Sequence, residues 1–413
     1  MTNSPPANVN LSGGLAPGES GRVLASGIDS LTLAVELQWA DDQAFRRLAE
    51  LKEEAKKQVE DEPITVAVGE GTAAARFVVK PHGSNGYEWL LVGKEMAIKL
   101  GSWLEAKQRP SAMVDLRAEL LWTHGPDAAV ERVRQVLGAM GAKVERMKPS
   151  RLDLCVDVLL PGATWTAQLD QHFVTRARGT DTHRKNGDLS GFSIGKGAAS
   201  ARIYDKAREI REKSHKDWMF DVWKLPAVPE GHRVVRVEFQ LRRDMLREGK
   251  LQTWEDVRER LPRAWAYCCR RWLRLVVNPK VHHTQQEPLP WWLLVEEGFA
   301  GAQQAEPLIR EKAINTDRRR LAAQSIGTLS SIAALDLIDE QRTEETTLDR
   351  TSFLRSALAK AQAHASIDDE EFTRRVDRKR AKYGRAGPRF RGGKATADDA
   401  EVESAAVPEK HRS

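Results

Sequence analysis

Between residues 151 and 242 the chain uses one device three times: an extended segment whose side chains alternate between an apolar row and a row carrying charge. In "RLDLCVD" the apolar row is Leu152, Leu154, Val156 and Val158, and the opposite row is Arg151, Asp153, Cys155 and Asp157. In "RVVRVEFQLR" Val235, Val237, Phe239 and Leu241 oppose Arg236, Glu238, Gln240 and Arg242, and "SARIYDK" puts Arg202, Tyr204 and Lys206 on one side. Successive side chains of a strand point to opposite faces, so each segment is a strand with one core face and one polar face. A half-buried antiparallel sheet shows water such a row in any case, and pattern alone leaves a solvated face and a site both open. The kind of residue bears on the choice. Threonine and serine would serve a solvated face equally well, whereas carboxylates and a tyrosine between arginines can hold a divalent ion and handle a phosphate.

Strand and helix segments otherwise mix without a βαβ period, so the fold class is α+β, a largely antiparallel sheet flanked by helices, with disordered N- and C-terminal tails. Residues 1–25 are rich in Pro, Gly and Ser and read as disordered. Residues 26–280 read as one functional domain in two α+β halves, about 26–142 and 143–280. The first holds "DSLTLAVELQW", a charged helix from Asp41 and several short strands, and closes with the helix "PDAAVERVRQVLGAMG". The second is expected to hold a helix at "TWTAQLDQHFVTRA", the hairpin "GFSIG"/"SARIYDK", and a helix after Tyr204. It ends in two helices split by Pro262, the first opened by a capping box at Thr253 and Asp256. Residues 281–365 read as helical, and 366–413 as a disordered charged tail.

Basic residues exceed acidic ones overall by six, and the excess is concentrated: residues 141–280 hold 29 basic and 18 acidic residues. A polyanionic partner fits that charge. No run of about 20 apolar residues spans a membrane, and the start lacks a secretion signal, so the chain reads as cytoplasmic with no membrane partner. Cys155, Cys268 and Cys269 fit neither a disulfide framework nor zinc spacing. "GFSIGKG" lacks the spacing of a phosphate-binding loop. The tryptophans fall mostly at core spacing, and the basic tail suits either a nonspecific DNA arm or a solvated end. Asp153 and Asp157 lie about 13 Å apart along an extended strand, too far to grip one ion together unless the strand bends.

The ordered set "RLDLCVD", "GFSIGKGAASARIYDK" and "RVEFQLRR", followed by a helix and "RRWLRL", resembles rolling-circle replication initiators of the trans-acting Rep type and related relaxases, over residues 30 to 280. The resemblance implies a protein that binds double- and single-stranded origin DNA and nicks one strand by tyrosine transesterification, leaving a 5′-phosphotyrosyl link and a free 3′ hydroxyl. It makes Tyr204 the nucleophile with Lys206 beside it. Asp153, Asp157 and Glu238 become ligands of Mg2+ or Mn2+, while Arg151, Arg202, Arg236, Arg242 and Lys196 contact DNA. A host helicase is an implied partner, and an inverted-repeat origin would suit a homodimer. No His-x-His triplet occurs, consistent with this branch. The rival reading is an initiator or regulator that binds DNA without cutting it. A tyrosine recombinase would need a scattered Arg–His–Arg set near a late tyrosine, which is missing. Of the other tyrosines, Tyr87 falls in a strand of the first half, Tyr267 on an apolar helix and Tyr383 in the basic tail.

Overall fold

The computed structural model describes residues 9–10, 21–57, 63–71, 74–104, 109–310 and 368, with helical residues at 324–332, 335, 355–356, 358–360, 363 and 369–384. The chain forms two units, Met1–Glu311 and Lys312–Ser413. The first unit is built on one twelve-stranded antiparallel sheet. Its strands are β1 (Val9–Asn10), β2 (Arg22–Trp39), β3 (Thr65–Val68), β4 (Ala75–Val79), β5 (Trp89–Gly93), β6 (Met96–Leu100), β7 (Ala112–Leu116), β8 (Ala142–Pro161), β10 (Thr180–Lys185), β11 (Asp188–Ile194), β12 (Ala199–Asp205) and β13 (His232–Arg242). A separate pair joins β9 (Phe173–Thr175) to β14 (Leu273–Leu275). The architecture is α+β with an antiparallel sheet.

The long strands β2 and β8 pair at the centre, and the order outward is mirrored. On one side run β7, β6, β5, β4 and β3, and on the other β13, β12, β11 and β10. Each half lays its last strand beside its first and then folds back as a meander, so the chain traces one design twice. Strands as long as β2 and β8 must coil as they twist, and the β2–β8 register shifts at several points, including between Ile28 and Ser30. The β8–β13 pairing runs without a shift from Arg242↔Arg151 to His232↔Pro161.

The apolar rows of β8, β12 and β13 enter the main core, where Phe239 meets Trp265 edge-on at 5.4 Å. Helices α1 (Gln43–Lys57) and α2 (Ala118–Thr123) belong to the first half, and α3 (Pro126–Ala139), α6 (Arg243–Glu248), α7 (Trp254–Tyr267) and α8 (Pro290–Glu297) pack on β8. A second cluster, around Ala207, Ile210, Met219 and Trp223, covers part of the polar rows. It is carried by the one-turn helix α4 (Lys206–Glu209), the π turn Ile210–Ser214 and α5 (Trp218–Trp223). The three cysteines are buried and unpaired.

Several elements depart from the sequence reading. Strand β2 begins at Arg22, inside the segment expected to be unstructured, because Val23–Ala25 pair with Val158 and Asp157. The helix expected at 164–177 is a short 3-10 turn, Ala167–His172, followed by β9, since Phe173, Val174 and Thr175 find a strand partner in β14. Pro262 does not split a helix: α7 runs through it, held by the burial of Leu261, Ala264 and Trp265 and started by the expected Thr253–Asp256 capping box. In 281–365, expected to be helical, α8 is the one α-helix among the described residues up to 310, and every described residue from 324 to 363 is helical as expected; within 366–413 residues Asp369–Gly384 are helical. Most of 1–25 and 385–413, where disorder was expected, lie outside the described residues. No helix among those described is long and apolar enough to cross a membrane.

Candidate active site

Register decides which polar side chains meet. One cross-strand row runs His183, Gly191, Tyr204, Arg236 and Asp157, one residue from each of β10, β11, β12, β13 and β8. The next row runs Asp181, Ser193, Arg202, Glu238 and Cys155. The three polar faces therefore converge on one side of one sheet.

Tyr204 is half-buried, and its hydroxyl donates to Glu238 Oε2 at 3.0 Å. The other Glu238 oxygen accepts from Arg202, whose side chain is 52% exposed while that of Glu238 is 2% exposed. Burial pushes the Glu238 carboxyl above the usual carboxylate range, and the acid Asp29 adds to this against the pull of Arg202. Burial and the Glu238 charge push the Tyr204 phenol well above its ordinary value. The resting pair is thus a neutral phenol bonded to a buried carboxyl group of heightened basicity.

Arg236 is fully buried, which corrects its expected role in contacting phosphate. It holds Asp157 through two bonds, at 2.6 and 2.7 Å, and Asp29 through a third at 2.6 Å. Trp223 donates to Asp157 at 2.7 Å and Trp122 to Asp29 at 3.3 Å. Burial raises Asp29, but Arg236, Lys216 and Lys206 outweigh it and hold that acid well below the carboxylate range. Asp157, expected as a metal ligand, is instead fully buried and spent on Arg236 and Trp223. Asp153 is 1% exposed, accepts from Arg151 Nε at 2.9 Å, and faces Gln240.

The three acids named for a metal each serve a different cation or donor. No group of three or more His, Cys, Asp or Glu side chains among the described residues forms a metal cage. As arranged, these carboxylates do not fit a shared divalent ion.

Lys206 also departs from its expected place. It opens α4 rather than continuing the strand, is 2% exposed, and donates to Glu209 at 2.6 Å. Its ammonium stands 5.8 Å from the centre of the Tyr204 ring, so it faces the ring and forms no bond with the hydroxyl. Burial and Arg236 lower its pKa. Arg151 and Arg202 are the expected DNA-contacting arginines that lie half-exposed over the buried acids. Arg242 is exposed at the end of β13, bonded to Gln240 at 3.1 Å. Lys196 is exposed on the β11–β12 turn and lines a separate hollow of about 760 Å3 with Arg176, Arg178 and Arg310.

Tyr204 opens onto a cleft of about 400 Å3 whose walls include His183, Lys185, Arg202, Arg208 and Lys213. Other tyrosines have different surroundings. Tyr87 is buried against Pro110 and Arg109, and Tyr267 is buried against Arg310. The floor beside Tyr204 is Gly191, where a Cβ would stand 2.7 Å from the Ile203 carbonyl oxygen and 2.8 Å from Tyr204 Cβ. Gly191→Ala is expected to cost about 1–3 kcal/mol through that clash. A thermal melt identical to that of the unaltered protein would contradict this.

The sequence reading missed Asp29, Trp122, Trp223 and His183. Asp29 lies where the β2–β8 register shifts, which breaks the period-two signal. His183 lies on a wholly exposed edge strand with no apolar row to mark it.

No protein-family model matches the chain, and no curated protein matches it. Among solved structures, the chain is similar to a rolling circle replication initiator protein from Geobacillus stearothermophilus, at 12% identity and a TM-score of 0.36, over 65% of this chain and 93% of that one.

Proposed function

We propose that the protein nicks one strand of origin DNA by attack of Tyr204 on a phosphodiester, leaving the 5′ phosphate on the tyrosine and a free 3′ hydroxyl to prime rolling-circle synthesis. The observation that carries this reading is the 3.0 Å bond from the Tyr204 hydroxyl to Glu238 beside a cleft whose walls mix Lys185, Arg202, Arg208 and Lys213 with Asp205, Glu209 and Glu212. A neutral phenol is a weak nucleophile and needs a base within hydrogen-bond reach. Glu238 takes the phenolic proton as the Oη–P bond forms and the P–O3′ bond breaks. Arg202, half-exposed and already at Glu238, is placed to shift toward the phosphate oxygens as their charge develops. Because the tyrosyl ester keeps much of the energy of the broken bond, a free 3′ hydroxyl can reverse the step and reseal the strand.

Glu238→Gln keeps the shape and one acceptor oxygen, which Arg202 can still use, but presents an NH2 donor to Tyr204 where a proton acceptor stood. It is expected to slow nicking of a supercoiled origin plasmid by about 10²–10⁴-fold while leaving DNA binding intact. Undiminished nicking by this variant would remove Glu238 from the reaction. Running the plasmid assay with Mg2+, with Mn2+ and with EDTA tests the expected divalent ion.

The second reading, a DNA-binding initiator or regulator that does not cut, draws on the same bond, since a tyrosine tied to a buried acid also braces a sheet. Binding of origin DNA with no nick under any of these conditions decides for it. Helicase recruitment and a homodimer on an inverted repeat belong to the first reading.

A further inference from the structure

The two rows that carry Tyr204 and Glu238 continue across β11 to the edge strand β10, and what stands there has the chemistry to serve the other side of a scissile phosphate. His183 is the partner of Gly191, which is the partner of Tyr204. Because Gly191 has no side chain, nothing on its strand rises between the imidazole and the phenol, and both line the same cleft. Their backbones are two strand spacings apart, roughly 10 Å. Both side chains are anchored on the neighbouring row: Tyr204 on Glu238 at 3.0 Å, His183 through Nε2 on Ser193 Oγ at 2.8 Å. Arg202 sits in that row between Ser193 and Glu238. A phosphate held by Arg202 above the Gly191 gap would have the phenol on one flank and the imidazole on the other. In-line displacement needs that arrangement, with the attacking oxygen and the leaving oxygen on opposite sides of phosphorus.

We propose that His183 is the proton donor to the leaving 3′ oxygen, a role that rests on the nicking reaction above. Tyr204 Oη bonds to phosphorus and gives its proton to Glu238. The P–O3′ bond breaks, and the ring N–H of His183 supplies the proton that makes O3′ a hydroxyl. In resealing, the same nitrogen takes that proton back. Imidazole suits both directions because a ring nitrogen can give a proton and take it back. The Ser193 hydroxyl, which can donate or accept, accommodates either state of the ring.

The test uses the full chain and a single-stranded oligonucleotide spanning the nick site mapped with the unaltered protein. The oligonucleotide is made with either the ordinary 3′ oxygen or a 3′ bridging sulfur at the scissile bond. A thiolate leaves without a proton, so only the oxygen substrate needs the donor. His183→Ala and His183→Gln are expected to cut the oxygen substrate about 10²–10³-fold more slowly and the sulfur substrate within a few-fold of the unaltered rate. His183 is exposed, so neither change empties a core position. Full-speed cutting of the oxygen substrate by both variants, or an equal loss on both substrates, would overturn the assignment. If the unaltered protein makes no nick in the origin plasmid used for mapping, the nicking reading itself falls and takes this role with it.

Discussion

Tyr204→Phe is expected to lower nicking of a supercoiled origin plasmid by about a thousandfold or more, to the level of a protein without its nucleophile, while origin binding stays within a few-fold. The substitution removes one oxygen and keeps the ring that packs beside Lys206, 5.8 Å from its ammonium. It does leave Glu238 with one donor fewer, but Arg202 still holds the other oxygen. The fold should therefore survive, and a circular dichroism spectrum and melt close to those of the unaltered protein would show that lost cutting is chemical. Retained cutting by Tyr204→Phe would move the nucleophile elsewhere.

The second large effect is on stability. Asp157→Ala should cost about 3–5 kcal/mol, a fall in melting temperature on the order of 10 °C. Asp157 and Arg236 are both fully buried, and removing the acid leaves a guanidinium inside the protein with only Asp29 for charge. It also leaves the Trp223 indole N–H, which donates to Asp157 at 2.7 Å, without that acceptor. Breaking one partner of a buried pair costs more than the pair contributes, because the remaining charge stays desolvated. A double variant with Arg236→Met should accordingly lose less than the sum of the two single changes, since the members of one network do not act independently. Urea or thermal unfolding of the three variants measures this. An Asp157→Ala protein that melts like the unaltered one would refute the bracing role.

That network also shows where reading the sequence works and where it stops. Alternation along "RLDLCVD" and "RVVRVEFQLR" was enough to sort core from polar rows, because period two is a property of the strand itself. Both apolar rows do enter the core. What the alternation could not supply was the covering of the polar side. Arg236 and Arg202 look alike in sequence, yet Arg236 lies under α5 and is fully buried, while Arg202 lies beside the cleft and is half-exposed. Which becomes a buried brace and which keeps an exposed side toward the cleft depends on where the chain from Lys206 to Trp223 folds back. The same holds for the acids. The spacing of Asp153 and Asp157 already argues against one shared ion on a straight strand, and each acid is claimed by a different neighbour: Asp157 by Arg236, Asp153 by Arg151, Glu238 by Tyr204 and Arg202. Lys206 leaves the strand face for a simpler reason, since β12 ends at Asp205, whose side chain caps the following turn by accepting from Arg208 N at 2.9 Å. His183 could have been found only from register, by noticing that Gly191 leaves a gap between it and the tyrosine.

The most direct measurement traps the protein on a single-stranded oligonucleotide that contains the nick site, digests the covalent adduct, and sequences the modified peptide by mass spectrometry. The expected product is a nucleotide joined through phosphate to Tyr204, within the segment that includes "IYDK". An adduct on Tyr87, Tyr267 or any other residue, or nicked DNA with no protein on its 5′ end, would contradict it.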